Sequence, residues 1–158
     1  MTMSTDAPMV PPTLVRQTDP FRWDGIPLLA YKEDEANHFK GVTRQILFGG
    51  NEQLAAQLRY FEVSAGGYST LERHTHVHAV MILRGGGEVL VGSEIFPLVT
   101  GDLVYVPPHT WHQFRATLSD PLGFLCLVCA ERDKPSRPTA AELALLCADD
   151  RVAAFVRA

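Results

Sequence analysis

The sequence predicts an all-β domain, a jelly-roll barrel with a C-terminal helical tail. Three observations lead there. Short runs rich in Val, Ile, Leu, Phe and Tyr recur between residues 43 and 129. Gly and Pro punctuate them, as at Gly49-Gly50-Asn51 and Pro107-Pro108. Only beyond Pro138 does the pattern become helical. At 158 residues the chain has the size of one domain and can bury a substantial core.

Taken in order, residues 1–20 carry Pro8, Pro11, Pro12 and Pro20 among small and polar residues and read as an extended or mobile arm. The barrel is expected over residues 21–133, opening with an early strand between Phe21 and Tyr31. Lys32-Glu33-Asp34-Glu35 reads as a solvated loop. Strands are expected over 43–48 and 57–63, with Arg44 and Arg59 as surface charges. The segments 80–83 and 89–91 flank Gly85-Gly86-Gly87, which reads as a hairpin-like break, and 95–98 and 103–106 continue the rhythm. Residues 134–158 are read as a linker followed by helix. Thr139 and Glu142 supply a capping box, and Asp149-Asp150 caps a second short helix towards Phe155.

Composition narrows the function classes. Apolar residues make up 46% and charged residues 20%, which fits a soluble globular protein. A net charge of −4 gives no reason to expect a nucleic-acid partner. No apolar run approaches the ~20 residues of a membrane span, and the N-terminus lacks a basic and apolar signal region. A cytoplasmic enzyme with no membrane partner is the expectation. Three cysteines, an odd count, do not make a disulfide framework. On a strand Cys126 and Cys129 face opposite ways, and Cys147 beside Leu143 and Leu146 reads as a core helix residue.

Chemistry concentrates between residues 66 and 112, which hold five of the six histidines. Imidazoles at this density among carboxylates point to a metal site. Glu72 and His74 share one face of a strand, and by parity His76 and His78 follow. An unbroken strand would carry residue 78 roughly 20 Å from residue 72, too far to share an ion. The chain must therefore turn near Thr75-His76-Val77 if His78 is to join, with His112 arriving from a later strand.

This stretch resembles the cupin family. Gly66, Glu72, His74, His78 and Gly85 fill the spacing of the first cupin motif, and Gly101, Pro107 and His112 that of the second. His109 stands where the second motif has a glycine and Ala116 where it has an asparagine. The resemblance implies a double-stranded β-helix with the metal ligands at Glu72, His74, His78 and His112. The family's usual ligand order is His, His, Glu, His, so the carboxylate has moved. A rival register, with His74 and His76 as the paired ligands, puts Val80 or Met81 in the third place and supplies no carboxylate. His76 is then the extra residue, a candidate substrate contact. Three neutral imidazoles and one carboxylate suit a divalent metal, Mn preferred, with Fe, Zn or Ni as alternatives.

The order Arg59-Tyr60-Phe61-Glu62, residues 66–78, 102–115 and 122–126 is similar, more narrowly, to the methylthioxylulose 5-phosphate methylsulfurylase type of cupin. That likeness implies a homodimer that uses glutathione to remove the methylthio group of a sugar phosphate, 1-methylthioxylulose 5-phosphate, through a metal-stabilised enolate. It assigns the catalytic proton transfer to Cys126. From the residues alone, Cys126 lies on the inward face of its strand with Phe124 and Val128, where an inert core cysteine is the alternative. A metal-dependent dioxygenase and a small-ligand-binding cupin are the competing functions. For the phosphate, Lys40, Arg44, Arg84 and Arg115 all remain open.

Overall fold

In the computed structural model, which describes residues 11–32 and 37–158, the chain first forms β1 (Gln17–Asp19), β2 (Arg22–Trp23), β3 (Leu29–Ala30), β4 (Lys40–Phe48) and β5 (Ala56–Tyr68). Then follow β6 (His78–Val91), β7 (Glu94–Val99), β8 (Leu103–Val106), β9 (His112–Ala116) and β10 (Leu122–Cys129). The tail carries α1 (Ala140–Leu146) and α2 (Asp150–Phe155). All strand pairings are antiparallel. β5 and β6 each pair with both β9 and β10, so these four strands close a ring. β4 and β3 extend the sheet from β5, while β7 and β8 lie along β6.

Closure depends on β6 passing from one sheet to the other. Its first half pairs with β8 and β10, its second with β7 and β9. The bend falls at the three glycines. Gly85 has φ +65°, and a Cβ there would sit 1.7 Å from the carbonyl oxygen of Pro121. A Cβ on Gly87 would sit 2.0 Å from that of Arg115. The hairpin-like break expected at Gly85-Gly86-Gly87 is thus a bend in one continuous strand. These glycines admit a crossing backbone rather than reverse the chain. The reversal comes later, at Gly92-Ser93, where Val91 pairs with Glu94.

The interior follows strand parity. Phe61 and Val63 of β5, Val80, Ile82 and Val89 of β6, and Leu122, Phe124, Cys126 and Val128 of β10 form one buried cluster. Phe124 stacks on Phe61 and Phe114, with centroids 5.5 and 4.5 Å away. Burying each such ring contributes about 1.5–3 kcal/mol. Cys126 is buried and Cys129 exposed, as their parity requires.

The flanking segments differ from the sequence reading in part. Residues 1–10 of the expected arm lie outside the described residues, and Gln17–Asp19 is not a free arm but pairs with β2. The early strand of residues 21–31 is split into β2 and β3, around Gly25 and Pro27. Phe21 and Trp23 pack on the outward ring of Tyr60, each with centroids 5.4 Å apart.

At the other end the capping box is present. Glu142 N donates to Thr139 Oγ1 at 3.2 Å and Thr139 N to Glu142 Oε2 at 2.9 Å. Asp149 caps α2, whose Val152 and Phe155 bury against Leu71 and Leu90. Cys147 is not a core residue. It is the half-buried C-cap of α1, a two-turn surface helix whose apolar stripe is Leu143 and Leu146. No helix among the described residues is long and apolar enough to cross a membrane.

Candidate metal centre and its cavity

Past β5 the chain crosses to β9 by a single bridge: Glu72 N donates to His112 O at 3.2 Å, and His112 N to Glu72 O at 3.0 Å. The two side chains therefore start from opposed backbone positions. A bend at Thr75-His76 then brings His78 to the start of β6, the turn that strand arithmetic demanded. Across this bend the Nε2 atoms of His74 and His78 lie 2.8 Å apart. Ligand atoms of Glu72, His74 and His112 fall within 4.8 Å of one another, and so do those of His74, His76 and His78. His74 belongs to both groups. The loop-to-strand transition thus brings the four expected ligands and His76 into two groups that share His74.

Electrostatics favours a cation there. Burial, reinforced by neighbouring His112, pulls the imidazole pKa of His74 down to about 4. Burial also lowers His78 and His112, so the three rings are neutral at pH 7. His74 Nδ1 donates to the carbonyl of His76 at 2.6 Å, and His112 Nδ1 to that of Thr110 at 2.9 Å. A carbonyl can only accept, so each Nδ1 carries the proton and each Nε2 keeps its lone pair. The buried carboxylate of Glu72 meanwhile holds an ammonium, Lys32 Nζ, at 2.5 Å. Lys32 is thus turned inward, contrary to the solvated loop expected; Glu33, Asp34 and Glu35 lie outside the described residues. The 2.8 Å nitrogen pair is close to the ~3.0 Å edge expected for two ligands at right angles with bonds of ~2.1 Å. The residues present fit a divalent ion.

The tail straps the bend in place. Asp133 Oδ2 accepts from Thr75 N at 2.7 Å, and Oδ1 accepts from His76 N at 3.0 Å and faces His76 Nδ1 at 2.8 Å. These bonds, that from Thr75 N first, hold the Asp133 carboxyl well below its usual range. Arg73 and Ser136 exchange backbone hydrogen bonds of 3.0 and 2.9 Å. The Arg73 guanidinium reaches Glu142 at 2.6 Å and lies over Trp111. Asp133 escaped the sequence reading because nothing local links it to a loop 57 residues earlier.

Beside the bend opens a cavity of about 210 Å³. Glu72, His76, His78, His112 and Cys126 line one part of it, with Phe61, Phe114 and Phe124 as an apolar floor. Cys126 Sγ lies 2.8 Å from His78 Nδ1 and accepts from Arg59 Nη2 at 3.5 Å. Burial pushes the thiol pKa up, and the Arg59 cation opposes that shift. Arg59 and Arg44 are not surface charges. Arg59 is 7% exposed, and both line the cavity because they share the inward parity of Val42 and Phe61. Of the candidates for phosphate, Arg44 alone faces this space: Arg84 pairs with Glu62, Arg115 binds the carbonyl of Phe155, and Lys40 is exposed at the start of β4.

A closed antiparallel barrel lined by imidazoles and a carboxylate is the architecture of a cupin. The pattern of the family described as "Cupin domain" matches residues 59–128, and the chain belongs to this family. It is 57% identical over 136 residues to 1-methylthio-D-xylulose 5-phosphate methylsulfurylase of Rhodospirillum rubrum, a match covering 86% of each chain. It is therefore an enzyme of the cupin fold. Among solved structures, a cupin 2 conserved barrel domain protein from Rhodopseudomonas palustris is 55% identical, with a TM-score of 0.87 over 92% of this chain and 100% of the other. A cupin-2 domain from Rhodospirillum rubrum is 58% identical, with a TM-score of 0.80 over 85% of this chain and 90% of the other.

The strap makes a prediction. Asp133→Ala should fold normally yet bind Mn²⁺ about 10-fold more weakly, because the bend between His74 and His78 loses the one carboxylate that makes three contacts with it. Calorimetric titration checks this, and an unchanged affinity would remove Asp133 from the account.

Proposed function

We propose that the protein removes the methylthio group of 1-methylthioxylulose 5-phosphate, with glutathione as the attacking thiol, and releases 1-deoxyxylulose 5-phosphate. The observation that carries this reading is a buried thiol, Cys126, set 2.8 Å from His78 in the cavity of a chain 57% identical to a methylsulfurylase. Glu72, His74, His78 and His112 would hold the divalent ion. His78 is preferred to His76 because its Nε2 meets that of His74, while His76 is tied to Asp133 and stacks on His74 at 3.6 Å. Bound there, Mn²⁺ (or Fe²⁺, Zn²⁺ or Ni²⁺) supplies a Lewis acid for negative charge on the sugar's carbonyl oxygen.

The remaining steps belong to the chain and the thiol. The glutathione thiolate attacks the methylthio sulfur, an S–S bond forms, and the C1–S bond breaks. Its electron pair stays on C1 and delocalises onto the neighbouring carbonyl. Cys126 then delivers its proton to C1, completing a methyl group, and the proton that glutathione released on becoming a thiolate is returned to the Cys126 sulfur through solvent. The carbon is reduced, and glutathione leaves as the methyl mixed disulfide, so no external oxidant is needed. Burial keeps Cys126 protonated until it is used. Afterwards Arg59 Nη2 and His78 Nδ1 stand as two donors to the thiolate, provided that His78 Nε2 gives its lone pair to the ion. His76, on the cavity wall, is assigned to substrate contact.

The proposal extends to assembly and location. Leu103, Met81 and Leu125 stand in one cross-strand row over β8, β6 and β10, and Tyr105, Ala79 and Leu127 in the next. Leu103 is 77% and Tyr105 60% exposed, an apolar sheet face that suits a second copy of the chain. Three free cysteines fit the reducing cytoplasm. Light scattering should give a dimer for the wild type and a monomer for Leu103→Asp. A monomeric wild type would sink the homodimer.

Anaerobic incubation of the Mn²⁺ protein with 1-methylthioxylulose 5-phosphate and glutathione should yield 1-deoxyxylulose 5-phosphate and the mixed disulfide. Cys126→Ser should keep its metal and lose turnover by roughly 10²-fold, since a hydroxyl is a far weaker acid than a thiol. Cys129→Ser and Cys147→Ser should turn over normally, one thiol facing outward and the other capping α1. In a parallel incubation under air, consumption of oxygen would mark a dioxygenase, and binding without turnover in both incubations a ligand-sensing cupin; either result overturns the reading.

A further inference from the structure

Three arginines line the cavity, and the reaction just described uses only one of them. We propose that Arg44, Arg59 and Arg132 form the cradle for the phosphate of the sugar substrate. The inference rests on the sugar-phosphate reading and deepens it by assigning the end of the substrate that does not react.

The topology brings the three together from separate elements. Arg59 on β5 pairs in register with Cys126 on β10. Arg44 on β4 pairs with Phe61, two residues along from Arg59, so the two arginines are diagonal neighbours in the sheet, and both line the cavity. Arg132 follows β10 at the rim, where its Nη1 binds the carbonyls of Cys129 and Ala130, both at 3.2 Å. All three line the cavity.

These charges lack counter-ions among the described residues. Among the described residues no carboxylate bridges Arg44, Arg59 or Arg132, and the one acid in the cavity lining, Glu72, is held by Lys32. The Nε atoms of Arg44 and Arg59 are buried with no hydrogen-bond partner. Arg59 is more than nine-tenths buried, and among the described residues its guanidinium meets no charge of opposite sign, only the Phe61 face, 4.9 Å away, and the Cys126 sulfur, 3.5 Å from Nη2. Unpaired buried guanidinium groups are costly, and neighbouring like charges add to the cost. Repulsion is visible at Arg132, an exposed rim residue whose pKa is lowered by partial desolvation and then by Arg59 and Arg44. A phosphate dianion answers all of this, because guanidinium groups bind its oxygens in pairs.

The placement also suits the chemistry. Arg59 touches Cys126, while Arg44 lies two strands over from β10, about 10 Å at ~4.8 Å per strand. A phosphate towards Arg44 and Arg132 leaves an extended five-carbon chain to run back to Cys126 and His78. Arg59 then serves both ends, meeting the sugar phosphate on one side and the proton-donating sulfur on the other.

The test uses the full-length Mn²⁺ protein and calorimetry with D-xylulose 5-phosphate, which lacks the methylthio group, against D-xylulose and inorganic phosphate. The wild type should favour the phosphorylated sugar, and inorganic phosphate should compete with it. Arg44→Gln and Arg132→Gln should each cut the preference about 10-fold with metal content unchanged, as loss of one charged hydrogen-bonding group would. In turnover of 1-methylthioxylulose 5-phosphate they should raise KM while changing kcat little. Arg132 is exposed, so its variant reports even if Arg44→Gln folds poorly. An undiminished preference in Arg132→Gln and in folded Arg44→Gln overturns the cradle, as does a wild type with no preference. The two proposals separate cleanly: normal turnover with unchanged KM in both variants sinks the cradle alone. A phosphate preference that both variants lose, in a protein that never turns over the methylthio sugar, sinks the reaction alone.

Discussion

One imidazole joins the two halves of the site. His78 presents Nε2 to His74, 2.8 Å away, and Nδ1 to the thiol of Cys126, also 2.8 Å away. A five-membered ring cannot serve both neighbours unless its plane is fixed, so the fold around His78 is a device for fixing it. The ring opens β6, where Val106 of β8 opposes it, and Cys126 sits diagonally across on β10. The candidate ligand His78 and the thiol of Cys126 therefore share one rigid sheet, which is what a positioned acid would require.

That sheet depends on closure, and closure on strands that cross closely. β5 and β6 are long because each serves both sheets, and the glycines in them admit the crossing backbone. The second constraint is the loop from Glu72 to His76, which no regular ladder holds. Its order comes from elsewhere: from His112 through the bridge to Glu72, from His109 N bonded to His74 O at 2.7 Å, and from the tail through Asp133 and Ser136. The C-terminal helices are thus part of the site's framework, since α2 buries Val152 and Phe155 and α1 holds Arg73 through Glu142.

Much of this was legible in the sequence, and for a physical reason. Side-chain parity is a local property, so the inward face of Phe124, Cys126 and Val128 and the need for a turn before His78 follow from spacing alone. The motif frame even located a backbone oddity: His109 stands at a glycine position and adopts the φ a glycine would, +55°. What stayed hidden depends on register or on distant loops. Arg59 shares the parity of Phe61, but its charge reads as a surface residue, and only the register of β10 shows that Cys126 lies opposite it. Lys32 and Asp133 act through loops whose paths no pattern records. Gly85-Gly86-Gly87 was misread because the same composition serves a tight reversal and a strand crossing equally well.

The central claim is that Glu72, His74, His78 and His112 together hold one divalent ion beside Cys126. Metal analysis of the Mn²⁺-loaded protein tests it most directly, with wild type compared against Glu72→Gln and His112→Ala. The account predicts about one ion per chain in the wild type and a large loss in both variants, with the barrel still folded by circular dichroism. Unchanged metal content in both variants would contradict it.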